Sequence, residues 1–151
     1  MNATSNATID IVVVYDNPLA SQLSAKLLKS ETDIRVAAVC LNVAETLDAV
    51  RQVQPPVIVF ELASSYPNGS ALLRSTGLEY PDLRAVVVSR HMNELDVFRT
   101  TGAAGFVASD LARRYLAMCI RNVHLGASWI EYTNQKRRLS TPAGGVLSLE
   151  P

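Results

Sequence analysis

Residues with carboxylate or hydroxyl oxygens stand at the ends of several apolar runs in this chain. Glu61 ends the apolar run that begins at Pro56, and a loop containing Pro67 and Gly69 follows it. Three further residues of this kind are Asp16, Ser89 and Ser109. A short, wholly apolar run is typical of a strand that is buried on both faces of a parallel sheet, and functional groups gather at the carboxyl ends of such strands. The sequence therefore predicts a polar site at that edge, with Glu61 as its carboxylate.

Apolar runs alternate with helical patterns five times along the chain. The runs that predict strands are 9–14, 34–40, 57–60, 84–89 and 105–109. The first helix begins with Asn17 as N-cap and Pro18 at its first helical position. This alternation predicts βαβ units, and right-handed crossovers leave few topologies for them. We therefore expect an α/β, flavodoxin-like (βα)5 fold, a doubly wound five-stranded parallel sheet in the order 2-1-3-4-5.

The composition is that of an ordinary globular protein. The 151 residues suffice for one domain with a full core, 48% of them are hydrophobic and 19% are charged. Lys and Arg (14) balance Asp and Glu (14), so net charge favours neither nucleic acid nor a membrane as partner. The first eight residues lack the basic start and apolar core of a signal peptide, and no apolar stretch reaches the ~18 residues of a membrane helix. We expect a cytoplasmic protein with its two cysteines buried and free.

The chain is predicted to hold one domain between two tails. Residues 1–8 are polar and are expected to be disordered, residues 9–130 carry the alternating pattern, and residues 131–151 are expected to form a linker or a C-terminal tail.

The order and spacing of these segments resemble the receiver domain of NarL/LuxR-type response regulators, over residues 9 to about 130. Such a receiver has an acidic pair after strand 1, a phosphoacceptor aspartate after strand 3, a Ser or Thr after strand 4 and a lysine at strand 5. The matching residues here are Tyr15-Asp16, Glu61, Ser89 and Ser109, and Phe106 stands at the aromatic switch position. The resemblance thus implies a receiver in which Tyr15 replaces the first acid, Glu61 the phosphoacceptor and Ser109 the lysine.

These replacements affect the three parts on which phosphoryl transfer in this family depends: the metal-binding carboxylates, the nucleophile and the cation. The longer side chain of Glu61 displaces the reacting oxygen by roughly 1 Å, and misplacement on that scale can cost about 100-fold in rate. Asp16 and Glu61 are then weak candidates for Mg²⁺ ligands, because Mg²⁺ sites with few carboxylates rely on substrate phosphates. We expect no enzymatic activity and no cofactor beyond a weakly bound Mg²⁺. Glu61 as a solvated acid, and Tyr15 as a packing residue, are the simpler alternatives.

The resemblance implies an atypical receiver that acts in signal transduction and transcriptional regulation through protein–protein contacts that need no phosphorylation. DNA is expected as a partner only through a domain that this chain does not contain. A homodimer or a regulatory protein is the expected partner, and the face that receivers use to dimerise would include Leu95, Phe98 and Tyr115. Two alternatives stay open: a receiver that still accepts a phosphoryl group on an unusual residue, and a small-molecule sensor that uses Tyr15, Ser89 and Ser109.

Overall fold

A computed structural model of the chain describes residues 7–15, 22–62, 74–89, 102–131 and 138–141, with the backbone alone for 131 and 138–141. The strands in these ranges are β1 (Ile9–Tyr15), β2 (Ile34–Cys40), β3 (Val57–Leu62), β4 (Arg84–Ser89), β5 (Gly105–Ala108), β6 (Ser128–Glu131) and β7 (Arg138–Thr141). The helices are α1 (Leu23–Leu28), α2 (Val43–Val53), α3 (74–79) and α4 (Ala112–His124), and a 3₁₀ turn at Ser109–Leu111 precedes α4.

The strands form one sheet in the order β2-β1-β3-β4-β5-β6-β7. Strands β1 to β6 pair in parallel, and β7 pairs antiparallel with β6. The predicted α/β class and the order 2-1-3-4-5 are therefore confirmed. The prediction of five strands was short by two, because β6 and β7 mix polar and apolar residues and, unlike the equally short β5, form no apolar run. The boundary predicted at residue 130 lies inside β6, and the division into a domain and two tails remains a prediction.

Two layers of helices bury the two faces of the sheet. One face, which includes Val13, Val59 and Val88, packs against α1 and α4. The opposite face, which includes Val14, Phe60 and Val87, packs against α2. Both cysteines are buried and free, as predicted. Because β1, β3 and β4 are buried on both faces, their carboxyl ends are held in fixed positions at one edge of the sheet.

Gly105 allows α4 to approach β5 closely. A Cβ atom at this position would lie 2.7 Å from the Cys119 Sγ atom, 3.1 Å from Val86 Cγ2 and 3.2 Å from Val123 Cγ2. We therefore expect Gly105→Ala to lower the free energy of unfolding by about 1–3 kcal/mol, the usual cost of overpacking a core. The measurement is urea denaturation of the purified variant.

Gly77→Ala is the matched control for this prediction. A Cβ atom at Gly77 meets nothing within 4 Å, and Gly77 lies exposed in α3. Because alanine is the better helix former, this change is expected to raise the free energy of unfolding by up to about 1 kcal/mol. Equal effects of the two substitutions would show that the close approach at Gly105 has no energetic role.

Candidate functional site

Strands β1 and β3 place Tyr15 and Glu61 side by side at the carboxyl edge of the sheet. The register pairs Tyr15 with Glu61, and Glu61 with Val88 on the next strand. Residues paired in this way project from the same face, so Tyr15 and Glu61 lie on the face that α1 and α4 cover. Ser89 pairs with Leu62 and therefore lies on the opposite face, which packs against α2.

The carboxylate of Glu61 points to the first turn of α1. Its Oε1 atom accepts a hydrogen bond from the Ser24 backbone N–H at 2.8 Å, and Oε2 accepts one from the Leu23 N–H at 3.3 Å. Only 8% of Glu61 is exposed. The first N–H groups of a helix have no acceptor within the helix, and a carboxylate is favoured there by charge as well as by hydrogen bonding. Glu61 is therefore a buried acid whose two oxygens are both engaged by backbone donors, not a solvated one.

Tyr15 fills the space beside this carboxylate. It is 1% exposed, and its hydroxyl has no hydrogen-bond partner among the described residues. Burial, followed by the negative charge of Glu61, raises the pKa of Tyr15 to about 12. The phenol is therefore neutral at physiological pH, at the position where the resemblance predicts that ordinary receivers have an acid.

The raised pKa of Tyr15 predicts a loss of stability at alkaline pH. The neutral phenol is favoured in the folded state, so its contribution is complete below the ordinary pKa of about 10 and is lost as the pH rises to about 12. We expect the free energy of unfolding of the wild type to fall more steeply over this interval than that of Tyr15→Phe, which has no group to ionise. Denaturation curves recorded through the interval test this, and parallel pH profiles for the two proteins would contradict it.

The other residues singled out in the sequence lie in several places. Ser89 and Phe106 are buried on the face opposite Glu61, whereas Ser109 is half-buried in the 3₁₀ turn after β5. Tyr115 is half-buried on α4, with the Arg114 guanidinium 5.8 Å from its ring centroid. Three predicted residues lie outside the described part of the chain: Asp16, Leu95 and Phe98. The roles assigned to all of these residues remain predictions.

Sequence reasoning missed Ser24. It is fully buried, its backbone N–H donates to Glu61, and its Oγ atom has no partner among the described residues. A signal was present, because Ser24, Leu27 and Leu28 stand at i, i+3 and i+4 and so share one face of α1. That face packs against the sheet.

The described donors do not fit a Mg²⁺ ion. They offer one carboxylate, whose oxygens both accept backbone N–H groups, and a neutral phenol. Mg²⁺ in proteins demands octahedral oxygen ligands, usually one or two carboxylates with waters and phosphates. Among the described residues no group of three or more His, Cys, Asp or Glu could hold a metal ion, and no helix there is long and apolar enough to cross a membrane.

Comparison with known proteins gives transcriptional regulators as relatives. The chain is 25% identical over 126 residues to the DNA-binding transcriptional activator DevR/DosR of Mycobacterium tuberculosis, covering 82% of this chain and 58% of that protein. It is 26% identical over 124 residues to the transcriptional regulatory protein DegU of Brevibacillus brevis, covering 81% and 52% respectively. The chain thus spans a little more than half the length of these curated relatives. No family model matches it.

Solved structures show the fold. A two-component response regulator of the LuxR family from Aurantimonas sp. SI85-9A1 superposes with a TM-score of 0.69 at 20% identity, covering 85% of this chain and 91% of that one. The chain therefore has the fold of response-regulator receiver domains, and its sequence relatives and structural neighbours are response regulators of the NarL/LuxR type.

Proposed function

We propose that this chain is an atypical receiver domain of a NarL/LuxR-type response regulator, which acts through protein–protein contacts without phosphorylation. The observation that carries the proposal is the engagement of Glu61 by the Leu23 and Ser24 N–H groups. A phosphoacceptor must present a carboxylate oxygen in line with the incoming phosphoryl group, at a distance near 3 Å. Here both oxygens are turned into the protein, and the side chain is 8% exposed.

Electrostatics supports the same proposal. Phosphoryl transfer depends on cations that neutralise the charge spread over the phosphoryl oxygens. A serine stands at residue 109 where ordinary receivers have a lysine, and a neutral tyrosine stands at residue 15 where they have a metal-binding acid. The Glu61 carboxylate also carries one charge and two oxygens, against nearly two charges and three oxygens for a phosphoryl group. We therefore regard Glu61 as neither a phosphoacceptor nor a full mimic of one.

The relatives suggest the setting in which such a domain works. We propose a cytoplasmic role in signal transduction and transcriptional regulation, because the relatives are a transcriptional activator and a transcriptional regulatory protein. Contact with DNA would come from a domain outside this chain. The chain itself is proposed to be non-enzymatic, a proposal supported by the engagement of both Glu61 oxygens by backbone N–H groups.

Self-association is the test of this proposal. We expect a dimer that forms through the face containing Leu95, Phe98 and Tyr115, to the same extent with and without acetyl phosphate and Mg²⁺. Sedimentation equilibrium at about 100 μM detects even a dimer whose Kd is in that range. A dimer that appears only with the phosphodonor would refute phosphorylation independence, and a strict monomer under both conditions would refute the dimer.

Two substitutions locate the dimer face. Tyr115→Ala removes a half-buried aromatic ring of α4 and is expected to weaken self-association by about tenfold or more, as the loss of an interface aromatic does. Arg51→Ala changes an exposed residue of α2, on the other side of the sheet, and is expected to leave self-association unchanged. Equal effects of both substitutions would contradict the assignment of the face.

A further inference from the structure

We infer that Glu61 and Tyr15 form a latch, which holds the first turn of α1 on the carboxyl edge of β1 and β3. Glu61, the residue at the phosphoacceptor position, then has a structural role. The inference rests on the proposed function and adds how the Glu61 carboxylate is kept from an incoming phosphoryl group. Glu61 is a positioning residue in this account, because it acts on α1 and on no substrate.

Helix α1 needs an acceptor from elsewhere in the chain. It has six residues, its N-cap residue Gln22 makes no side-chain capping bond, and its first turn contains no acid. Helices this short are marginal without tertiary contacts, and the exposed N–H groups of their first turn need partners. No residue of the described helix or its N-cap supplies one from a side chain.

Glu61 supplies that acceptor from a rigid element. It belongs to β3, which is buried along its whole length, and it meets Leu23 and Ser24 across 38 and 37 residues of sequence. Hydrogen bonds in which the acceptor is ionised are about twice as strong as neutral ones, and burial limits competition from water. The contact therefore fixes the start of α1 relative to the centre of the sheet.

Tyr15 closes the space around this contact. It stands beside Glu61 in the register of β1 and β3, and it is 1% exposed. The first two residues of α1 thus contact Glu61, and Tyr15 stands next to Glu61 on the adjacent strand. A neutral ring in this place keeps water away from the carboxylate without adding a second negative charge.

The other end of α1 is held independently. Arg121 on α4 forms a bidentate ion pair with Asp33, at 2.7 and 2.8 Å, and a further pair with Glu31 at 2.5 Å. Both acids lie in the turn between α1 and β2, where the Glu31 N–H also donates to the Leu28 carbonyl at 3.1 Å. Loss of the latch should therefore free the first turn of α1 while its last turn stays in place.

Amide hydrogen exchange, followed by NMR, tests the latch residue by residue. In Glu61→Ala the Leu23 and Ser24 amides are expected to exchange roughly 10- to 100-fold faster, because each loses a hydrogen bond to a charged group. Glu61→Gln keeps the shape of the side chain and one oxygen acceptor, so hydrogen exchange is expected to become faster at only one of the two amides. This variant is also expected to fold even if the alanine variant does not. The Glu31 amide should keep its protection in both variants.

Glu45→Gln is the matched control. Glu45 is also a glutamate whose Oε1 atom accepts a backbone N–H at 2.8 Å, from Leu41, but it is exposed and lies in the first turn of α2. This substitution should leave the Leu23 and Ser24 amides unchanged. The latch is overturned if hydrogen exchange at Leu23 and Ser24 is the same in the wild type and both Glu61 variants. It is also overturned if exchange of the Glu31 amide becomes faster by the same factor as exchange of the Leu23 and Ser24 amides.

Intact-mass measurement after incubation with acetyl phosphate and Mg²⁺, on the same samples, separates the latch from the proposed function. A labelled wild type whose Leu23 and Ser24 amides still depend on Glu61 would refute the proposed function and support the latch. An unlabelled wild type whose amides do not depend on Glu61 would refute the latch and support the proposed function.

Discussion

Tyr15→Asp, which restores the acid that ordinary receivers have at this position, is expected to lower the free energy of unfolding by about 3 kcal/mol or more. The change removes a fully buried aromatic ring, and such truncations typically cost about 3–5 kcal/mol. It also places a second carboxylate beside the buried Glu61, where two like charges without a cation cannot both remain ionised at low cost. The space occupied by Tyr15 is thus not a vacant metal site that an acid can simply refill.

Two controls separate the lost packing from the added charge. Tyr15→Phe keeps the ring and removes a hydroxyl that has no partner among the described residues, so it is expected to change the free energy of unfolding by less than about 1 kcal/mol. Tyr15→Leu removes ring volume without adding charge, so its free energy of unfolding is expected to lie between those of Tyr15→Phe and Tyr15→Asp. Urea denaturation measures all three, and equal values for the leucine and aspartate variants would show that repulsion from Glu61 plays no part.

Glu61→Asp is expected to stay unlabelled by small phosphodonors, although it introduces the aspartate that ordinary receivers have as phosphoacceptor. The variant still has Ser109 and Tyr15, at the positions where we propose that ordinary receivers have a lysine and a metal-binding acid. Loss of a group that stabilises developing charge typically costs about 100- to 1000-fold in rate. The shorter side chain is also expected to weaken the two contacts with α1, so that the substitution costs stability without restoring chemistry.

Intact-mass analysis during incubation with acetyl phosphate and Mg²⁺ measures this labelling. A receiver that has the complete set of acids and the lysine serves as positive control, and Glu61→Asp combined with Ser109→Lys shows what the cation adds. Labelling of the single variant at a rate near that of the positive control would show that Ser109 and Tyr15 matter far less than proposed.

The sheet was predictable because its signals are local. Each strand from β1 to β5 is a short apolar run, and alternation with helical patterns leaves little freedom in strand order. The position of Glu61 at the carboxyl edge follows from the same reasoning, since it lies next to the last residue of a buried strand. The sequence also indicated correctly that both cysteines are buried.

The orientation of Glu61 was not predictable from the sequence. Its partners, Leu23 and Ser24, are more than 35 residues away and contribute only backbone N–H groups, which every residue but proline carries. The strands β6 and β7 were missed for a different reason. Neither is an apolar run, and both are recognised as strands only by their pairing, β6 with β5 and β7 with β6.

The most direct test of phosphorylation independence is a titration of the wild type with beryllofluoride and Mg²⁺, followed through the amide signals of Leu23 and Ser24. Beryllofluoride stands in for a phosphoryl group on a receptive carboxylate, and these two amides report on the oxygens of Glu61. The latch and the missing cation predict that neither signal moves in a saturable way at Mg²⁺ up to about 10 mM, since a site with so few ligands binds the ion weakly. Saturable shifts of both signals, with half-saturation near about 10 μM, would show that Glu61 leaves α1 to receive a phosphoryl group and would contradict the account.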